Sequence, residues 1–323
     1  MSRIYAIADI HTDHKDNVKH VKSWKRERYG NDTLILAGDV TDSISLLEET
    51  LYELTQTFQQ VFFVPGNHEL WVKSGKEKNS FQKFHEIRRL CDRLGVKTRP
   101  GRVAVLEGQD VMVVPLFSWY TTPEEDSMDT LYVRHPSVSE DVATMNLMWM
   151  DNHNCVWPTL YDSYPAQYFC ELNEDAVASS YDIPVISFSH FMPRSDLILP
   201  SEKENAAVIM ERTSMGLEPS LPQNQGAPRF FNFSRFAGCK QLDVQIRQLG
   251  SVIHFHGHQH RNRDRVIDGV RYISHSLGYK RERDEGLLWG MSHWGGPRQI
   301  WPLAKSDKPS NGDTAINKEP EIS

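Results

Sequence analysis

Short apolar runs rich in β-branched and aromatic residues recur along this chain, and polar or glycine-containing segments separate them. Such runs are typical of buried β-strands. In the first hundred residues they alternate with segments whose apolar positions follow the helical period. The predicted strands are 3–9, 33–39 and 61–64, and the predicted helices are 14–29, one that opens at a capping box from Ser45 to Glu48, and 81–94. This alternation predicts a largely parallel sheet.

The pattern changes after the first hundred residues. Two strand-like runs at 102–106 and 111–116 flank a short Gly-Gln-Asp segment, which predicts a hairpin. Between 117 and 181 the regular pattern is lost and aromatic residues accumulate, so we interpret 117–181 as an insertion with short helices, one of them near 139–150. A second irregular stretch, 192–233, contains several prolines and glycines and predicts a long loop.

Regular elements return in the last third of the chain. A helix is predicted at 239–249, followed by strands at 252–256, 265–267 and 271–274. Residues 305–323 are polar and include Pro, Gly, Asn and Ser, a composition typical of a disordered tail. We therefore predict a single domain over residues 1–304.

Several of the predicted strands end in side chains that can bind metal ions. The five groups are Asp9 with His11; Asp39; Asn67, His68 and Glu69; His190; and His258 with His260. Ligands bind at the carboxyl ends of the strands in open α/β sheets, so these side chains are expected to converge at one edge. A single Asp after a strand is more often a turn or cap residue, and the prediction therefore depends on the whole series.

The series has the order DxH, GD, GNH[DE], H and GHxH, and it resembles that of the calcineurin-like metallophosphoesterase superfamily. The resemblance extends from Asp9 to His260. It implies an α/β fold, a sandwich of two mixed β-sheets flanked by α-helices, with two metal ions at the carboxyl ends of the strands. The implied ligands are Asp9, His11 and His260 for the first metal, Asn67, His190 and His258 for the second, and Asp39 as the bridge. Carboxylate and imidazole ligands suit Mn, Fe or Zn.

The resemblance further implies hydrolysis of a phosphate ester by a metal-bridging hydroxide. His68 is not a ligand in the family pattern; it would protonate the leaving oxygen or stabilise the charge that develops there. Asp42, three residues after Asp39, would orient His68, although an Asp beside Ser43 also suits the start of a helix. Glu69 is expected to have a structural role.

A downstream segment, 276–283, resembles the LGYPRER-like segment of a branch of this superfamily found in plants, algae and bacteria, with Lys280 in place of its proline. Arg194, Tyr279 and Arg281 are the candidate substrate contacts, although an arginine engaged in a salt bridge is the more common case. The chain also lacks the arginine of the GDxxDRG motif of phosphoprotein phosphatases. This departure disfavours a general serine/threonine phosphatase.

Composition and net charge limit the kinds of molecule that the protein is expected to bind. The net charge of -7 and the pI near 6.1 argue against a broad surface for nucleic acid or anionic membrane, while a local basic patch stays possible. The four cysteines are widely spaced and predict reduced thiols, hence a cytoplasmic protein. No apolar run approaches the roughly 20 residues of a membrane span.

The leading hypothesis is a dinuclear metallophosphoesterase that hydrolyses a small phosphomonoester or phosphodiester. One alternative is a nuclease or cyclic-nucleotide phosphodiesterase, because the same metal pair accepts diesters. Another is a non-catalytic protein-binding scaffold with the same fold. Residues 117–181 are expected to cap the site and to favour small phosphorylated molecules over folded phosphoproteins. The sequence makes no prediction of oligomeric state.

Overall fold

Two mixed β-sheets form the centre of the protein. The structure is a computed structural model that describes residues 2–73, 78–105, 109–134, 140–158, 165–220, 231–288 and 296–302. The strands within these ranges are, in chain order, β1 Ile4–Ile7, β2 Thr33–Ala37, β3 Gln60–Val64, β4 Gly101–Val103, β5 Val111–Pro115, β6 Val185–Phe188, β7 Ser251–His256, β8 Arg263–Ile267, β9 Val270–Ser274 and β10 Arg298–Trp301. They make a four-stranded sheet in the order β10-β1-β2-β3 and a six-stranded sheet in the order β4-β5-β6-β7-β9-β8.

In both sheets the central strands run parallel. One edge strand of the first sheet and both edge strands of the second pair antiparallel with their neighbours. β1, β2 and β3 run parallel, and β10 pairs antiparallel with β1. In the second sheet β5, β6, β7 and β9 are parallel, while β4 and β8 are antiparallel edge strands. The pairing of β4 with β5 confirms the predicted hairpin. The mixed sheets confirm the predicted fold class.

Helices flank the two sheets. Those within the described ranges are α1 Lys15–Lys22, α2 Arg26–Tyr29, α3 Ile44–Thr57, α4 Ser80–Leu94, α5 Val142–Met148, α6 Asp151–Asn154, α7 Pro165–Leu172, α8 Glu174–Ala178, α9 Glu202–Ser214, α10 Gln241–Gln248 and α11 Lys280–Asp284. β1 and β2 have every residue buried, as expected for parallel strands covered on both faces. α4 buries Phe84, Ile87 and Leu90, which recur at the helical spacing that predicted a helix at 81–94.

Some elements differ from the prediction. The stretch 192–233 is not a continuous loop, because it contains the 13-residue helix α9. That helix has no apolar stripe to reveal it; a capping box between Ser201 and Glu204 stabilises its start, and Glu204 pairs with Arg265. The predicted single helix at 14–29 is two short helices, α1 and α2.

Two further corrections concern the start of one helix and a strand that was not predicted. The cap of α3 is Ser43, whose side chain accepts from the Leu46 N–H, so the helix begins earlier than the predicted capping box. β10 was not predicted, because a four-residue edge strand depends on its pairing with β1 and shows little local pattern. The predicted disordered tail, 305–323, lies outside the described residues.

The insertion 117–181 packs into the hydrophobic core where the structure describes it. α5 confirms the helix predicted near 139–150. The ring of Trp119 lies 5.0 Å from that of Trp157 and 5.0 Å from that of Phe191, which comes directly after a candidate metal ligand. The aromatic residues of the insertion therefore connect it to the sheet edge that carries the predicted ligands.

Candidate metal centre

The predicted metal ligands come together at the carboxyl ends of β1, β2, β3, β6 and β7. Two groups of ligand atoms each lie within 4.8 Å of one another. One group is Asp9, His11, Asp39 and His260, and the other is Asp39, His190 and His258. Asn67 joins the second group, because its Oδ1 is 3.1 Å from His190 Nε2. Asp39 belongs to both groups, the position expected of a bridging carboxylate.

Five of these side chains project from backbone that non-glycine residues rarely adopt. Positive φ angles occur at Asp9 (54°), His11 (37°), Asp39 (54°), His258 (73°) and His260 (52°). Such conformations cost free energy and persist where the surrounding structure fixes them, often at functional sites. The strain at five predicted ligands indicates that the loops are shaped for a site.

Two glycines let the ligand loops approach one another. A Cβ atom on Gly66 would lie 2.2 Å from Asp39 Oδ1, and one on Gly257 would lie 2.8 Å from Asp9 Oδ2. Neither distance leaves room for a methyl group. The glycines of the GNH and GHxH motifs therefore serve to bring the ligand loops close to the carboxylates of neighbouring strands.

Glu69 holds the loops after β2 and β3 in register. Its buried carboxylate accepts hydrogen bonds from the backbone N–H groups of Asp39 (2.9 Å), Val40 (2.6 Å), Thr41 (3.0 Å) and Gly66 (2.6 Å). Burial raises the pKa of Glu69, and these donors act against that rise. The contacts give Glu69 the structural role expected from the sequence.

Acceptors outside the cluster fix the proton on three of the histidines. The pairs are His190 Nδ1 with Ala37 O at 2.9 Å, His258 Nε2 with Phe236 O at 2.9 Å, and His260 Nδ1 with Glu282 Oε2 at 2.7 Å. Because an acceptor needs an N–H opposite it, each outer nitrogen carries the proton. The inner nitrogen of each ring is left with a lone pair that points into the cluster, as a metal ligand requires.

The inner atoms face each other at distances that suit a shared ion. His11 Nε2 lies 3.0 Å from His260 Nε2, and His190 Nε2 lies 3.2 Å from His258 Nδ1. In the His190–His258 pair both facing nitrogens carry lone pairs, which repel each other at this separation. Two nitrogens bound to one ion at about 2.1 Å and at right angles are about 3 Å apart, so both pairs fit a common metal.

The buried charges of the cluster also favour the binding of a cation. Asp9 and Asp39 are buried, and within the described ranges neither pairs with a lysine or an arginine. Burial raises the pKa of Asp39 well above its usual value, and the neighbouring carboxylates Glu69 and Asp9 raise it further. Burial keeps His11 and His258 neutral by lowering their pKa values. Buried carboxylates beside neutral imidazoles are stabilised by metal ions.

His68 lies beside the cluster and belongs to neither ligand group. Its Nε2 is 3.9 Å from Asp39 Oδ2, and its ring lies 4.8 Å from that of His11. Burial lowers its pKa well below the ordinary value. The ring stacks on Trp71 at 3.9 Å. This placement suits a side chain that acts on a substrate held by the metals.

The predicted contact between Asp42 and His68 does not form among the described residues. The Asp42 carboxylate accepts from Lys73 Nζ at 2.6 Å, and that ammonium lies 4.4 Å from the centre of the Trp71 ring. The indole of Trp71, and not the carboxylate of Asp42, therefore packs against His68. The sequence spacing placed Asp42 in the correct loop but could not show its rotamer.

The three candidate substrate residues occupy different surroundings. Tyr279 stacks on His11 with ring centres 4.6 Å apart. Arg194 donates to Asp196 and to Asp243, so its charge is already balanced away from the ligand groups. Arg281 pairs with Glu285 on its own helix, and its side chain is 75% exposed. Tyr279 is the one of the three that touches a predicted metal ligand.

Sequence reasoning missed two carboxylates that hold ligands from outside. Glu282, in α11, accepts from His260 Nδ1 and from the Tyr279 N–H at 2.9 Å. Burial acts to raise the pKa of Glu282, but His260 and these donors hold it at about 2. Asp151, at the start of α6, accepts from Asn67 Nδ2 at 2.9 Å. The contacts with His260 and Asn67 have no local sequence signal, since each joins residues of different elements; the Tyr279 contact belongs to the capping box at the start of α11.

Comparison with known families is consistent with this geometry. The family model for calcineurin-like phosphoesterases matches residues 2–262, and the chain therefore belongs to that family. It is a phosphoester hydrolase with a fold that carries candidate ligands for two metal ions.

Two comparisons point to one relative. The chain is 26% identical over 286 residues to the [acyl-carrier-protein] phosphodiesterase PptH of Mycobacterium tuberculosis (strain ATCC 25618 / H37Rv), a match that covers 86% of this chain and 78% of that protein. The crystal structure of phosphopantetheinyl hydrolase (PptH) from Mycobacterium tuberculosis superimposes with a TM-score of 0.62 and 22% identity, covering 94% of this chain and 96% of that one. The superposition confirms the sandwich fold. None of the described helices is both long and apolar enough to cross a bilayer.

Proposed function

We propose that this protein is a dinuclear metal-dependent phosphodiesterase. The observation that carries the proposal is the pair of ligand groups that share Asp39, with His68 beside them and outside both. Asp9, His11 and His260 would hold the first ion, and Asn67, His190 and His258 would hold the second. Mn, Fe and Zn all suit this set of carboxylate, amide and imidazole donors.

The proposed reaction combines the chemistry of two bound metal ions with proton transfer by His68. When bound, two such ions supply Lewis acidity at the phosphate and lower the pKa of a water nucleophile. His68 faces the shared carboxylate side of the site, where its imidazole can transfer a proton to the leaving oxygen. An anionic phosphate beside His68 acts to raise its depressed pKa, while bound metal cations act to lower it.

A diester is the substrate class that the comparisons support. The curated relative carries the name acyl-carrier-protein phosphodiesterase, and in-line displacement at a two-metal site is open to diesters as well as monoesters. We therefore propose a phosphopantetheinyl carrier protein as the first natural substrate to test. A small phosphodiester is the second, in agreement with the expectation from the sequence.

The insertion 117–181 lines the site in this proposal, and a carrier-protein substrate departs from the sequence-based expectation that this segment favours small phosphorylated molecules over folded phosphoproteins. Trp149 lies in the insertion, and its ring is 5.9 Å from that of the ligand His258. Phe233, from the second irregular stretch, lies 5.3 Å from the same ring. Both stretches therefore supply aromatic groups beside the second metal position. A cytoplasmic location stays a prediction from the spaced cysteines, all four of which are unpaired.

The test is a substrate panel with a metal-binding control. Purified protein reconstituted with Mn, Fe or Zn would be assayed on bis(p-nitrophenyl) phosphate, p-nitrophenyl phosphate, a phosphopantetheinyl carrier protein, a cyclic nucleotide and single-stranded DNA. We expect turnover of the aryl diester and the carrier protein to exceed that of the monoester. Preference for DNA or the cyclic nucleotide would favour the nuclease or cyclic-nucleotide alternative. Two bound metals without hydrolysis of any substrate would favour the scaffold.

A further inference from the structure

The carboxylate of Asp151 makes a buried polar contact between the insertion and the metal edge. Asp151 begins α6, and 2% of its surface is exposed. One oxygen, Oδ1, accepts from Asn67 Nδ2 at 2.9 Å and from Trp71 Nε1 at 2.7 Å. One buried acceptor thus serves a predicted metal ligand and the indole that stacks on His68.

We propose that Asp151 is a positioning residue that orients Asn67 toward the second metal and holds Trp71 against His68. An asparagine amide has a donor end and an acceptor end, and a carboxylate can face only the donor end. With Nδ2 held by Asp151, the amide oxygen is turned toward His190 Nε2, 3.1 Å away. Without that restraint the amide could rotate and present its nitrogen, which cannot bind a cation.

Asp151 Oδ1 also affects His68, the proposed proton donor, through Trp71. The Trp71 indole N–H fixes the ring in its plane, and the ring stacks on His68 at 3.9 Å with an interplanar angle of 27°. Lys73 covers the indole ring at 4.4 Å. The position of His68 therefore depends on a bond that begins in the insertion.

Backbone contacts hold the insertion in place independently of this side chain. The Val72 N–H donates to Asn154 O at 2.7 Å, and the Ser80 N–H donates to Val156 O at 2.8 Å. Because these bonds involve main-chain atoms, a change at Asp151 should leave α6 docked. Side-chain substitution can thus separate positioning from folding.

Two variants and a control test the inference, which rests on the proposed dinuclear site. Asp151→Leu keeps the shape and removes both acceptors, whereas Asp151→Asn keeps an acceptor oxygen and loses the charge. Asp141→Ala is the matched control, because Asp141 caps α5 in the same insertion and accepts from the Thr144 N–H. Metal affinity and stoichiometry are measured by titration and elemental analysis, without reference to turnover.

We expect Asp151→Leu to keep the first metal and to weaken binding of the second by about 10- to 100-fold, the range for partners of metal ligands. Asp151→Asn should weaken it by about three- to tenfold, since a neutral acceptor makes the weaker hydrogen bond. Both variants should lower kcat more than they raise KM, with the larger loss for substrates with poor leaving groups. Asp141→Ala should leave the affinity for both metals unchanged.

Wild-type protein that binds fewer than two metals would overturn the proposed function itself. Wild-type protein that binds two metals, together with a folded Asp151→Leu that binds the second equally well, would overturn the inference alone. Should Asp151→Leu not fold, Asp151→Asn decides: an affinity for the second metal equal to that of the wild type contradicts the role of Asp151.

Discussion

The two candidate metal positions share Asp39 but are supported by different parts of the chain. At the first, Ser276 donates to Asp9 and Glu282 accepts from His260, and both supports follow β9 closely. At the second, Asn67 is held by Asp151 of the insertion.

The same difference in support applies to His258, the histidine of the second position that follows β7. The outer nitrogen of His258 bonds to Phe236 O, in the segment that directly follows the second irregular stretch, while His190 bonds to the strand residue Ala37. The first position is thus supported by segments next to the sheet, and the second partly by irregular segments. Changes in the insertion should alter the second metal without altering the first.

Asp39→Asn should have the largest effect, because Asp39 is the residue that both positions share. A neutral amide is a poor bridge between two cations, so we expect loss of at least one metal equivalent and a fall in turnover of about 10²–10³-fold or more. Elemental analysis and the aryl diester assay measure the two quantities. Retention of two metals per chain would contradict the bridging role.

His68→Asn should separate chemistry from metal binding, since His68 belongs to neither ligand group. Turnover should fall by about 10²–10⁴-fold on esters with poor leaving groups, while metal content stays near two. The loss should shrink for a p-nitrophenyl ester, whose leaving group departs without a proton. Equal losses on both substrates would remove the general-acid role, and loss of metal would make His68 a ligand.

Glu282→Gln should weaken binding of the first metal, as the changes at Asp151 are expected to weaken binding of the second. The carboxylate holds His260 Nδ1 at 2.7 Å, and its replacement by a neutral amide weakens that bond. We expect the affinity of the first metal to fall by about tenfold or more and that of the second to stay unchanged. Stepwise metal titration of the two variants would show whether each carboxylate acts on one position. Equal weakening of both metals by Glu282→Gln would contradict the comparison.

The sequence allowed prediction of the parts of the site that are encoded locally. Asp9, Asp39 and His190 end apolar runs whose composition predicts strands, and the parallel order of those strands brings their ends together. The spacing of the series selected the candidate ligands by resemblance, and the structure brings them together. These features need no knowledge of side-chain rotamers.

What the sequence could not show depends on contacts between distant residues. Asp42 was expected to hold His68, but it bonds to Lys73, and Trp71 takes that place through its bond to Asp151. Glu282 stands beside the residue chosen as a substrate contact, and nothing in its own segment indicates that His260 lies opposite. α9 was missed for a different reason, since its apolar residues form one consecutive run and do not follow the helical period.

The smallest expected difference in activity is the one between variants of Tyr279 and Arg281. Comparing them tests which of the two residues contributes to activity at the first metal position. Tyr279 stacks on His11, and stacked rings contribute about 0.5–1.5 kcal/mol, so Tyr279→Leu should lower kcat/KM by about two- to tenfold. Arg281 is exposed and paired with Glu285, and exposed ion pairs contribute little, so Arg281→Ala should stay within about twofold of the wild type. A larger loss for Arg281→Ala than for Tyr279→Leu, measured on the aryl diester, would place the phosphate contact on the exposed arginine and reverse this order.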